Sequence, residues 1–155
     1  MKPFDAIKTN LSGTTLIEAS AGTGKTYTIA GLFVRLVLEQ NLEVEQILVV
    51  SYTTAATEEL KTRIRHKLIQ TRQGLSQGDS RDPFIARLIS TVRNPDAAAK
   101  RLDGVLADFD RAAILTIHGF CQRLLHEHAF ETSTFYDTQL LADPTVYYQQ
   151  VAEDF

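Results

Sequence analysis

Apolar positions along the chain alternate between two spacings. "TTLIEAS" (14–20) carries a short apolar run that predicts a strand, and it leads into a glycine-dense turn. From about Lys25 to Glu39 the spacing is helical, with Leu32, Leu36 and Gln40 on one face and Ile29, Phe33 and Val37 on another. A helix apolar on two sides is packed on both, as in a layered α/β protein. "QILVVSY" (46–52) is a continuous β-branched run, the pattern of a buried parallel strand. After "TTAA" a helix is predicted to about Gln73, with Leu60, Ile64 and Leu68 on one face and an i,i+4 pair, Glu59 and Arg63, on its surface. "GLSQGDSRDP" (74–83) reads as a loop. Two helices are predicted over 83–92 and 95–109, the second carrying Ala98, Leu102, Val105 and Phe109. "AAILTI" (112–117) predicts a third strand, and "HGFCQRLLHEHAF" returns to helical spacing. A last helix is predicted after Asp143-Pro144, with Tyr147, Val151 and Phe155 on one face. It reaches Phe155 without a cap, glycine or polar tail, so the pattern predicts a helix cut by the end of the sequence.

Strand and helix alternate, which predicts an α/β fold: three parallel strands with helices on both faces. The 155 residues suit about one domain, and 44% hydrophobic with 23% charged residues is ordinary for a globular chain. The formal net charge of −3 gives no global basic field, which leaves a local basic stripe as the route to nucleic acid. Cys121 stands alone, which excludes an internal disulfide and suits a reducing cytoplasm. No apolar run approaches a membrane span, and "MKPFDAIKTN" lacks the apolar segment of a signal peptide. The expectation is a cytoplasmic protein with no membrane partner.

"EASAGTGKTYTIA" (18–30) holds the first chemistry. Ala19-x-x-x-x-Gly24-Lys25-Thr26 is a Walker A pattern with alanine in the first glycine position. Gly22 and Gly24 permit positive φ and close approach to an anion. The amides of Ser20, Ala21, Gly22, Thr23 and the residues that follow would then converge at the positive end of a helix dipole. Lys25 supplies a mobile charge for the β- and γ-phosphates, and the Thr26 hydroxyl can ligate Mg²⁺. Ala19 to Thr26 are therefore the expected ATP pocket, with Lys25 and Thr26 as its catalytic members. Glu18, just before the loop, reads either as a buried acid with a local partner or as a functional one.

Two further segments end strands. Tyr52, Thr53 and Thr54 follow the second strand, and Thr116, His118 and Gly119 follow the third. Ligands collect at the carboxyl edge of open α/β sheets. Threonine hydroxyls can bond phosphodiester oxygens and a tyrosine ring can carry a stacked base. On chemistry alone Tyr52 reads first as a half-buried aromatic at a strand end with its hydroxyl at the surface. His126 and His128 do not share a helix face, and with one cysteine and no clustered acids zinc is not expected.

Together, "LIEASAGTGKTYTIA", "ILVVSYTTAATEELKTRI" and "TIHGFCQRLL" resemble motifs I, Ia and Ib of superfamily 1 DNA helicases of the UvrD/Rep type, in the right order, most closely in their RecB-like branch. The resemblance spans essentially 11–155 and implies a P-loop NTPase (RecA-like) domain over 1–142, with an all-helical insertion at about 74–110 and a further helical subdomain beginning at 143–155. It implies ATP and Mg²⁺ as cofactors, single- and double-stranded DNA as partners, and the other subunits of an exodeoxyribonuclease V-type (RecBCD-like) complex. Tyr52 falls where the family places an aromatic against single-stranded bases, and Thr53, Thr54, Thr116, His118 and Gly119 fall in segments lining that track. Departures accompany it. "FDAIKTNLSG" lacks the glutamine that reads adenine in many UvrD-type enzymes. No Walker B acid pair or later arginine motif appears, and Asp108 and Asp110 do not fit one. The expectation is an N-terminal fragment of a helicase subunit that binds nucleotide weakly and hydrolyses little. Two rival readings are a small P-loop kinase using Arg81, Arg87, Arg93 or Arg101 on its acceptor, and a non-catalytic module that binds single-stranded DNA.

Overall fold

The helical spacing after the glycine turn becomes α1, Lys25–Glu39. Its buried stripe is Ala30, Phe33, Val34 and Val37, so the face through Phe33 and Val37 points to the core. The computed structural model describes residues 4–20, 22–128 and 145–153. A short 3₁₀ turn at Val44–Gln46 leads to β1, Leu48–Ser51. Helix α2 then runs Thr54–Gln77, α3 Pro83–Ile89 and α4 Pro95–Ala107. A second 3₁₀ turn, Phe109–Arg111, precedes β2, Ala113–Thr116. Helix α5, Ile117–Glu127, follows β2 directly, and α6 spans Thr145–Glu153. Two compact units result, Met1–Ile117 and His118–Phe155. The face expected of Tyr147, Val151 and Phe155 lies outside the described side chains.

β1 and β2 pair in parallel, with Leu48 opposite Ala113 and Ser51 opposite Thr116. Among the described residues the sheet has these two strands rather than three. Residues 14–20 join no ladder, and Leu16 is 84% exposed. An apolar run becomes a strand only where a neighbour supplies its hydrogen bonds, and 14–20 pairs with neither β1 nor β2, whose outer edges stay open among the described residues. The expectation of helices on both faces is also corrected within this unit. Val49 and Ile114 face the core and α2, whereas Leu48 and Val50 on the other face are 45% and 39% exposed.

The core forms where α2 packs against α1, α4 and the sheet. Phe33, Ile64, Leu68, Ile85, Leu88, Leu102 and Ile114 are fully buried there, each contributing about 1.5–3 kcal/mol of transfer free energy. α2 outruns its predicted end near Gln73: the left-handed residue that stops it is Gly78 at φ 75°, not Gly74. Gly74 lies inside the helix, where Ile85 of α3 takes the room of a side chain; a Cβ there would meet Ile85 Cγ2 at 3.2 Å. α3 and α4 each begin the same way, with Asp82 or Asn94 capping first-turn amides and a proline at the first helical position. Arg72 of α2 joins Asp103 of α4 at 2.9 Å. Buried Arg35 of α1 pairs with Glu39 and donates to the carbonyls of Ala6 and Thr9, which ties the N-terminal segment onto the helix.

Candidate nucleotide and nucleic-acid site

The glycine turn adopts the backbone that its composition requires. Gly22 and Gly24 sit at φ 77° and 84°, and Gly24 is the residue from which α1 starts. No side chain caps the first turn of α1 and no acid lies in it, so its amides keep an open, positively polarised end. The loop is held from within: the Thr23 hydroxyl donates to the Ser20 carbonyl at 2.7 Å. Lys25 folds back over the loop, its ammonium donating to the carbonyls of Ser20 at 2.7 Å and Ala19 at 3.2 Å. Gly22, Thr23, Gly24 and Lys25 are exposed and Thr26 is half-buried. Ala21 lies outside the described residues. Glu18 is exposed, which removes its reading as a buried acid.

One step into α1, Tyr27 joins a cluster that the sequence did not reveal. Its hydroxyl donates to Asp82 Oδ1 at 2.6 Å, and the Lys67 ammonium lies 2.5 Å from Asp82 Oδ2 and 3.6 Å from the Tyr27 ring centroid. Burial alone would raise the Asp82 carboxyl, but hydrogen bonds from Lys67 and Tyr27 outweigh it and hold the group below its ordinary value. Burial, then the bond to Asp82, pushes the Tyr27 phenol up to about 12. Two signals pointed here. Asp82-Pro83 is a helix-start signature, and Lys67 is a charged residue on the buried stripe of Ile64, Leu68 and Thr71. A cavity of about 660 Å³ opens beside the same turn, walled by Phe4, Ile7, Tyr27, Phe84 and Arg87.

The strand-end residues divide by role. Tyr52 is 86% exposed, so it is not the half-buried aromatic that a strand end could hold; nearly its whole ring faces solvent. Thr53 caps α2, its Oγ1 accepting from the Ala56 amide at 3.1 Å, and Thr54 is the first residue of that helix. The register of β1 on β2 sets the Ser51 and Thr116 ends level, so Tyr52 and Thr53 leave the sheet at its carboxyl edge beside Thr116. His118 and Gly119 lie in the first turn of α5, in the second unit. Asp108 and Asp110 precede β2 at its amino end, where Asp110 pairs with Arg65 at 3.4 Å. Two of the four arginines of a kinase-like acceptor site are engaged apart from one another: Arg87 pairs with Asp5, and Arg101 with Glu43. Among the described residues no group of three or more side chains could hold a metal ion by itself, and no helix is long and apolar enough to cross a membrane.

Residues 2–155 match the UvrD/REP helicase N-terminal domain. The chain is 40% identical to RecBCD enzyme subunit RecB of Escherichia coli (strain K12) over 160 residues, covering 98% of this chain and 14% of that protein. It is 39% identical to RecBCD enzyme subunit RecB of Haemophilus influenzae, over 99% of this chain and 14% of that protein. The Mycobacterium tuberculosis subunit of the same name is 34% identical over 91% of this chain and 13% of its own length. This chain thus spans about a seventh of these relatives. With that match across nearly the whole chain and relatives at 34–40% identity, the chain belongs to the UvrD/REP helicase N-terminal domain family.

Proposed function

We propose that Ala19 to Thr26 cradle the polyphosphate of ATP, and that the chain is the N-terminal, ATP-binding part of an ATP-dependent DNA helicase and exonuclease subunit. That subunit would act in the cytoplasm in double-strand-break repair and recombination, beside the other subunits of a RecBCD-like complex. The observation that supports this most directly is the loop itself: two left-handed glycines opening onto a helix start with neither cap nor acid. The donor set fits a polyanion, since the first-turn amides and the Lys25 ammonium are donors without acceptor capacity. Lys25 would exchange a loop carbonyl for phosphate, and the Thr26 hydroxyl would help to hold Mg²⁺. Bound MgATP supplies the phosphoryl transfer whose energy drives such motors.

At the sheet's carboxyl edge Tyr52 serves as a stacking platform, worth about 1–3 kcal/mol per base. Thr53 accepts from Ala56, which leaves its own O–H to donate to a phosphodiester. Thr54 and Thr116 extend the track, and His118 and Gly119, in the second unit, serve as DNA contacts of their own. On this reading the chain alone hydrolyses little, because its sequence carries no Walker B acid pair to hold Mg²⁺ and no later arginine motif for the γ-phosphate.

The test is Mg²⁺-dependent binding of a fluorescent ATP analogue to this chain and to Lys25→Ala, with and without single-stranded DNA. Binding lost in Lys25→Ala and altered by DNA through Tyr52 is the expected result. Equal binding by both chains would sink the phosphate cradle. Turnover by this chain that disappears in Lys25→Ala would sink the claim of inactivity.

A further inference from the structure

Tyr27, Lys67 and Asp82 form one bonded polar cluster between α1, α2 and the start of α3. The Lys67 and Asp82 side chains are 5% and 15% exposed, and a buried ion pair is commonly no better for stability than apolar residues of the same volume. Its placement suggests a different job. Tyr27 is the third residue of α1, so its own amide is one of the first-turn donors that face outward from the phosphate loop. The loop before it is exposed. The Tyr27 side chain is held three ways. Its hydroxyl is bonded to Asp82, its ring lies on the Lys67 ammonium, and its edge meets Phe84 with centroids 6.3 Å apart. Asp82 is fixed in turn, because Oδ1 also accepts from the amides of Phe84 and Ile85 at the start of α3. The first turn of α1 is thereby pinned to both α2 and α3.

We propose that Tyr27, Asp82 and Lys67 form a clamp that fixes the direction of the phosphate-binding turn, with Asp82 and Lys67 as positioning residues for an anion that neither touches. This rests on the reading of residues 19–26 as a phosphate cradle. Preorganised donors bind an anion without first being ordered, and at metal sites loss of an outer-shell hydrogen bond costs about 10–100-fold in affinity.

The experiment measures Mg²⁺-dependent affinity for ATP and for inorganic tripolyphosphate, which has no base or ribose, in Tyr27→Phe, Asp82→Asn, their double variant, Lys67→Met, Lys67→Arg and Lys25→Ala. Thermal midpoints are recorded without ligand. The clamp predicts that Tyr27→Phe and Asp82→Asn each lose about tenfold for both ligands. It predicts that the double variant loses no more than either single one, and that Lys67→Arg restores what Lys67→Met loses. Tyr27→Phe keeps the ring and the fold, so its affinity remains readable if the others unfold. Loss for ATP alone would make Tyr27 a direct contact of the nucleoside and overturn the clamp. Affinity lost in Lys25→Ala but unchanged in Tyr27→Phe and Asp82→Asn would overturn the clamp and leave the cradle standing. Affinity unchanged in Lys25→Ala would overturn the cradle, and the clamp with it.

Discussion

Single residues in this chain hold more than one duty, and substitutions separate them. Thr53 caps α2 through the Ala56 amide, so Thr53→Ala should lower stability by about 1 kcal/mol in urea unfolding. Tyr52, 86% exposed, touches little, and Tyr52→Ala should change stability by less than about 0.5 kcal/mol. Weaker DNA binding by Tyr52→Ala would then report a missing stacking surface rather than a weakened fold. Asp82→Ala removes both the cap of α3 and the counter-charge of buried Lys67. It should cost about 3–5 kcal/mol, the usual result of stranding one member of a buried pair. The Asp82 carboxyl is held below its ordinary value. Its contribution is therefore present at neutral pH and disappears as pH falls below about 4, toward the folded-state value. Unfolding free energies at pH 7 and pH 3 should differ by more in the parent chain than in Asp82→Asn.

At the level of elements, local patterns were legible and pairings were not. The bounds of α1 could be read because the glycine turn and the apolar stripe start and orient it from adjacent residues. Leu60, Ile64 and Leu68 were placed in the core for the same reason. The end of α2 is not legible, since the glycine- and serine-rich composition from Gly74 reads as loop while the helix continues to Gln77 with Ile85 resting on Gly74. Residues 14–20 have a strand's composition without a strand's partner. The conformation of the glycine turn is equally legible, down to which glycines take positive φ. The clamp was not, because the Tyr27 hydroxyl meets an acid 55 residues away. The contact of α1 with α3 rests on the same kind of remote fit. A Cβ on Gly31 would stand 2.9 Å from Phe84 Cζ. Gly31→Ala would gain about 1 kcal/mol in helix propensity and lose about 1–3 kcal/mol to overpacking. A net loss of about 1 kcal/mol is expected, and Phe84→Leu in the same chain should recover part of it; a more stable Gly31→Ala would show that the ring gives way freely.

For the first unit as a whole, one side of the sheet is dressed and the other is bare. Leu48 and Val50 leave 45% and 39% of their surface to water, and the strand edges beyond β1 and β2 are open among the described residues. Such a surface invites pairing with a second copy. Sedimentation should show concentration-dependent association that Val50→Lys reduces without shifting the thermal midpoint by more than a few degrees. Association identical in the two chains would place the sticky surface elsewhere. The same sheet also sets a clock. Its two strands run in parallel with the whole of α2, α3 and α4 between them, so no turn brings them together and their ladder cannot close until the intervening helices have condensed. Long-range parallel pairing is intrinsically slow. Refolding should therefore proceed with helical signal first and the β1–β2 register last. The carboxyl edge where Tyr52 and Thr116 stand is then the last part of this unit to exist.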